Sequence, residues 1–158
     1  MNVFIAYGSV LDQTTALRLQ ALGAVNGLNV FVPPAYTRSS PVAVLDVHSE
    51  SNLRSADVVL GIISAMMSES CRQELNAAKA LGRKTVVLAD PAIAPQLERL
   101  FPDNILTINP ADAAQAERGI VEFLKQSDLE KTAKTALLGL GTLALGLLIF
   151  TGFAAQEK

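Results

Sequence analysis

A chain of 158 residues with a formal net charge of -2 has room for one ordinary domain and offers no basic field to nucleic acid. One cysteine excludes an internal disulfide, and one histidine, His48, excludes a histidine–cysteine zinc site; no metal is expected. Mean hydropathy is +0.33, high for a soluble domain of average make-up, so the apolar excess must be housed somewhere specific.

The opening MNVFIAYGS has no basic stretch ahead of its apolar residues, so no signal peptide is expected. Residues 2–6 (NVFIA) are β-branched and aromatic, which predicts a strand. A helix is expected over 11–25, from the spacing of Leu11, Ala16, Leu19 and Leu22, with a cap near Asp12 and a stop at Gly23 or Gly27. Residues 28–32 (LNVFV) read as a second strand, stopped by Pro33 and Pro34. The stretch PPAYTRSSP is polar and turn-rich, and a weaker helix is expected over 42–54. Residues 57–63 (DVVLGII) form a third, almost wholly apolar strand. A helix over 69–81 and a strand over 85–89 follow, with Ser70 and Gln73 reading as a capping box that puts Glu74 at the fourth helical position. A short helix after Pro91, a strand over 104–108 and a helix over 111–126 complete the series.

Uniformly apolar strands that alternate with helices imply a parallel sheet covered on both faces. The expected fold is an α/β three-layer sandwich with a five-stranded parallel sheet of the flavodoxin-like kind, over residues 1–127. Residues 128–134 then form a juxtamembrane linker. Residues 135–155 (TALLGLGTLALGLLIFTGFAA) carry no charge over 21 positions. As a helix that stretch spans roughly 30 Å, the hydrocarbon thickness of a bilayer. A core helix of that length would show a polar face, and this one shows none. Lys125, Lys131 and Lys134 precede it and only Lys158 follows, so the N-terminal domain is expected in the cytoplasm, tethered to the membrane by a single tail.

In such sheets ligands bind outside the C-terminal strand ends. The loops there carry Tyr7, Gly8 and Ser9 after the first strand, Pro33, Tyr36 and Arg38 after the second, and Ser64, Ser68, Cys71 and Glu74 after the third. Polar, Gly-rich or aromatic residues appear in each loop and the three loops could converge, which describes an architecture and not yet a function.

These segments resemble a family. NVFIAYGSVLDQ looks like the opening of a TIR (Toll/interleukin-1 receptor) domain, and NVFVPP like the second strand entering its long BB loop. SADVVLGIIS followed by SESCRQEL resembles the strand, Ser-rich loop, Trp-Cys pair and Glu-Leu of that family, with Ser70 where many members have Trp. The likeness covers residues 1 to about 125. It implies that Glu74 matches the glutamate with which enzymatic members cleave the nicotinamide–ribose bond of NAD. It further implies nucleotide contacts from Tyr7, Gly8, Ser9, Pro33, Arg38, Ser64, Ser68 and Cys71, homo-oligomers through this domain, NAD as substrate rather than as a bound cofactor, and a part in immune or stress signalling such as antiviral defence.

The chemistry is sound without the resemblance. Loss of nicotinamide leaves oxocarbenium character at the sugar C1, and a fixed carboxylate can stabilise it, hold the ribose hydroxyls or act as nucleophile. The plain alternative for Glu74 is an acid favoured by the helix dipole. For Cys71 it is packing, for Tyr7 a cover over the sheet end, for Arg38 a solvated loop charge, and for Ser64 and Ser68 capping. The functional alternatives are a non-catalytic adaptor that docks through residues 33–41, and a nucleoside 2-deoxyribosyltransferase-like enzyme, for which a membrane tail has no evident use.

Overall fold

The computed structural model describes residues 1–101, 105–107 and 113–126. In chain order the elements are β1 (Asn2–Tyr7), a 3₁₀ turn (Val10–Asp12), α1 (Gln13–Val25), β2 (Asn29–Phe31), α2 (Tyr36–Ser39), α3 (Val47–Ser55), β3 (Val58–Ile63), α4 (Glu69–Ala80), β4 (Lys84–Ala89), α5 (Ala94–Glu98), β5 (Ile105–Thr107) and α6 (Ala113–Gln126). The strands pair in parallel in the order β2-β1-β3-β4-β5, a flavodoxin-like sheet. Its strand order reverses at β1 and β3, which is where such sheets open a crevice.

Two apolar layers hold it. On one face Val3, Ile5, Leu60 and Leu88 pack with Leu19 of α1 and with Ile120 and Leu124 of α6. On the other Phe4, Val59, Ile63 and Val87 pack with Leu53 of α3, with Cys71, Leu75 and Ala78 of α4, and with Leu97 of α5. Every residue of β3 is buried, as its unbroken apolar run requires. Gly61 in its middle lets α4 sit close, since a Cβ there would lie 3.3 Å from Leu75 Cδ2 and 3.2 Å from Val87 Cγ2. That close seating fixes the height of the α4 residues above the sheet.

Several expected boundaries move for physical reasons. Asp46 caps α3 by accepting from the Ser49 N–H at 2.7 Å, so that helix begins at Val47 rather than at 42. The turn-rich segment before it contains a helical turn, α2. Leu11 lies in the 3₁₀ turn and is 74% exposed, so it does not belong to the core face of α1. Gly23 lies inside α1, and the helix stops before Gly27. The expected linker (128–134) and membrane span (135–155) lie outside the described residues. Among the described residues no helix is long and apolar enough to cross a membrane.

Candidate functional site

The C-terminal ends of β1 and β3 are joined through Gly8. Its N–H donates to the Ile62 carbonyl at 2.7 Å, and its own carbonyl accepts from the Ser68 N–H at 2.7 Å. A Cβ at this position would lie 2.4 Å from the Met66 carbonyl oxygen. Only glycine lets the β3–α4 loop rest directly on the first one. Ser9 begins the 3₁₀ turn as its cap and forms a capping box with Asp12.

Asp12 stands at the N-cap position of α1 but makes no side-chain cap bond to that helix; its carboxylate turns to the loops instead. It is 3% exposed, and one carboxylate oxygen accepts from the Ser9 N–H at 3.1 Å and the Ser9 hydroxyl at 3.3 Å. The other accepts from the Ser64 N–H at 3.1 Å. The amides of Ser9 and Ser64, expected to face a nucleotide, therefore already serve an anion belonging to the chain. Ser68 is likewise engaged: its hydroxyl caps α4 by accepting from the Cys71 N–H at 3.2 Å.

Ser70 is not the cap. With Ser68 in that role, Glu74 lies at the sixth helical position, in the second turn and past the reach of the first-turn dipole. The Ser70 hydroxyl points across to the chain that follows β2. It donates to the Thr37 carbonyl at 2.7 Å and accepts from the Val44 N–H at 2.8 Å. Residues 33–44 thereby form a strap clamped onto α4. Tyr7 holds the near end of the strap, its hydroxyl donating to the Pro33 carbonyl at 2.9 Å.

Beneath the strap sits Glu74, 0% exposed. Arg38 faces it end-on, Nη1 donating to Oε1 at 2.9 Å and Nη2 to Oε2 at 2.6 Å. Arg38 Nη1 also donates to Thr37 Oγ1 at 2.8 Å, and the guanidinium carbon lies 4.2 Å from the centroid of the Tyr7 ring. The reading of Arg38 as a solvated loop charge is thus overturned, because both side chains of the pair are 0% exposed. A buried arginine with a bidentate acid and an aromatic face is the arrangement to which its planar, weakly hydrated fork is suited.

Burial governs the titration here. It raises the Glu74 carboxyl from 4.5 to about 7, against the pull of the Arg38 guanidinium and with a small push from Asp46. Burial also raises the Tyr7 phenol, again opposed by Arg38. The Cys71 thiol is pushed far up by burial and then by Glu74, so it stays protonated and acts as packing, not as a nucleophile. The folded chain holds the Glu74 proton more tightly than the unfolded chain does. Stability from this group is therefore complete below pH 4.5 and is lost as pH rises through about 7. Denaturation of wild type and Glu74→Gln across the window checks it, since the difference between them should slope with pH only there.

Of the residues expected at the site, Pro33 and Arg38 of the strap come together with Tyr7, Cys71 and Glu74 beneath it. Gly8, Ser9, Ser64 and Ser68 gather instead around Asp12 and the loop junction. Asp12, Thr37 and Ser70 were missed as site residues. An acid or hydroxyl that satisfies a local cap pattern gives no further signal that its partners lie on another loop. An open groove of 280 Å³ lined by Arg18, Ala21, Leu22, Glu117 and Arg118 lies between α1 and α6, on the opposite face of the sheet from α4. Glu74 is covered, and both of its carboxylate oxygens are engaged by Arg38. Comparison with known proteins returned no matching family model, no matching curated relative and no matching solved structure.

Proposed function

We propose that this chain is a membrane-anchored TIR-like domain that cleaves the nicotinamide–ribose bond of NAD or a related nucleotide. Glu74 is the acting carboxylate, and the described arrangement is the closed form. The observation that carries the reading is a fully buried acid, its proton affinity raised by burial, at the strand ends where a flavodoxin-like sheet binds ligands. A carboxyl perturbed by burial beside a specific charged partner is more often part of a functional site than an ordinary surface acid is. The reading requires the strap to lift, so that the carboxylate can meet the ribose of a nucleotide. Nicotinamide leaves with the bonding pair and departs neutral; the positive charge left at C1 is met by Glu74, and water or an internal hydroxyl adds there and gives up a proton. Homo-oligomers held at high density by the membrane would favour the lifted form.

A second reading is favoured by one specific observation. Both oxygens of Glu74 are engaged and neither is exposed, which suits a structural pair that shapes residues 33–41 as the docking surface of an adaptor. The two separate in one assay. The full chain on lipid vesicles is incubated with NAD and released nicotinamide is measured. The enzymatic reading expects release that falls by roughly 10²-fold or more in Glu74→Gln. Equal release from both proteins, or none at any surface density, leaves the adaptor.

A further inference from the structure

Arg38 occupies its place as a bound ligand would. Its guanidinium is planar, delocalised and weakly hydrated. What it meets is a ring face at 4.2 Å from Tyr7, a bidentate carboxylate from Glu74 and one hydroxyl oxygen from Thr37. Its Nε, on the side of the aliphatic stem, is buried and has no hydrogen-bond partner. The surroundings thus recognise the flat charged end and leave the stem side unanswered. A buried N–H without a partner is costly, so this arrangement is not the best one a dedicated arginine site could offer.

The geometry points to a binding site for planar, delocalised organic cations, built from the Tyr7 ring face and the Glu74 carboxylate, which Arg38 fills from within the chain in the closed form. The ligand class is guanidinium, amidinium and N-alkylpyridinium monocations. A compact ammonium ion brings the charge but not the flat face, and it sheds water less readily. The inference deepens the proposed function and rests on the same site, since a nicotinamide riboside presents an N-alkylpyridinium; it requires binding only, not bond cleavage.

The test uses the full chain carrying Arg38→Ala, with thermal unfolding followed in methylguanidinium, 1-methylpyridinium or methylammonium chloride at equal ionic strength. Both planar cations are expected to raise the unfolding midpoint in step with the logarithm of their concentration, as ligands of the native state do. Methylammonium should leave it at the value of a sodium chloride control. Adding Glu74→Gln or Tyr7→Leu to the variant should abolish the response. Wild type, already filled by Arg38, should need a concentration higher by roughly a hundredfold or more, because its vacant form is a small minority. Equal responses to planar and compact cations, or none to the planar ones, would overturn the proposal. Should Arg38→Ala be unfolded alone, refolding on addition of a planar cation, seen by circular dichroism, supports the site, and failure to refold with either one overturns it. Nicotinamide release by this variant without any response to simple cations would remove the cation site and leave the proposed function standing. Cation binding without release would do the reverse.

Discussion

Arg38→Ala is expected to lower folding stability by about 3–5 kcal/mol, the largest effect of any substitution at this edge of the sheet. The loss comes less from a missing attraction than from what remains. Glu74 would stay 0% exposed with both oxygens stripped of donors. An unpaired carboxylate in that position must take up a proton or open the strap to water. Glu74→Ala should cost a similar amount from the other side, leaving a guanidinium under the strap with only Thr37 and the Tyr7 ring. The double variant Arg38→Met with Glu74→Leu should recover most of the loss, because two apolar side chains of similar volume need no partners. Urea denaturation of wild type, Arg38→Met, Glu74→Leu and the double variant gives the coupling directly. Single losses that simply add in the double variant would show that the two groups do not act as a buried pair.

Gly8→Ala is the second large effect, at about 1–3 kcal/mol. The new Cβ would stand 2.4 Å from the Met66 carbonyl oxygen, 3.0 Å from Asp12 Oδ2 and 3.2 Å from Ile63 Cγ2. The first of these is backbone and cannot swing aside. The β3–α4 loop would have to rise, which stretches the Ser68 N–H to Gly8 carbonyl bond and loosens the start of α4. Chemical denaturation checks it; a change under about 0.5 kcal/mol, the range of ordinary surface substitutions, would mean that the loop is not seated on Gly8.

The sheet was legible in the sequence because parallel strands buried on both faces must be apolar throughout, and VVLGII has no other use. The helix that carries Glu74 was legible from its charges and its position before a strand, to within one residue at its end. Its cap was not. Ser68 and Ser70 both meet the local criterion, and the choice is made by the Thr37 carbonyl and the Val44 N–H, which take the Ser70 hydroxyl for the strap. Arg38 was misread for the same kind of reason. Nothing within YTRSSP marks its arginine as buried; its partner lies 36 positions along the chain. Asp12 reads as a cap, yet its carboxylate also reaches the Ser64 N–H, 52 positions away. Local patterns thus place the elements, while the polar network that joins three loops at the sheet edge depends on distances in sequence that no local pattern spans.

One network explains both the stability and the proposed latency. Residues 33–44 are tied at Tyr7, at Ser70 and at Glu74, and the last of these ties is also the group proposed to act on substrate. Loosening the strap without touching the ion pair should therefore uncover activity. Ser70→Ala does this, since it removes two bonds to the strap and leaves Arg38 and Glu74 intact. The decisive measurement is nicotinamide release from NAD by Ser70→Ala, set against wild type and against Ser70→Ala with Glu74→Gln. Release roughly tenfold faster than wild type, and lost in the double variant, is the expected result, as a strap bond worth about 1 kcal/mol or more would give. Release that is unchanged by Ser70→Ala, or that survives the loss of Glu74, would contradict a covered carboxylate as the reacting group.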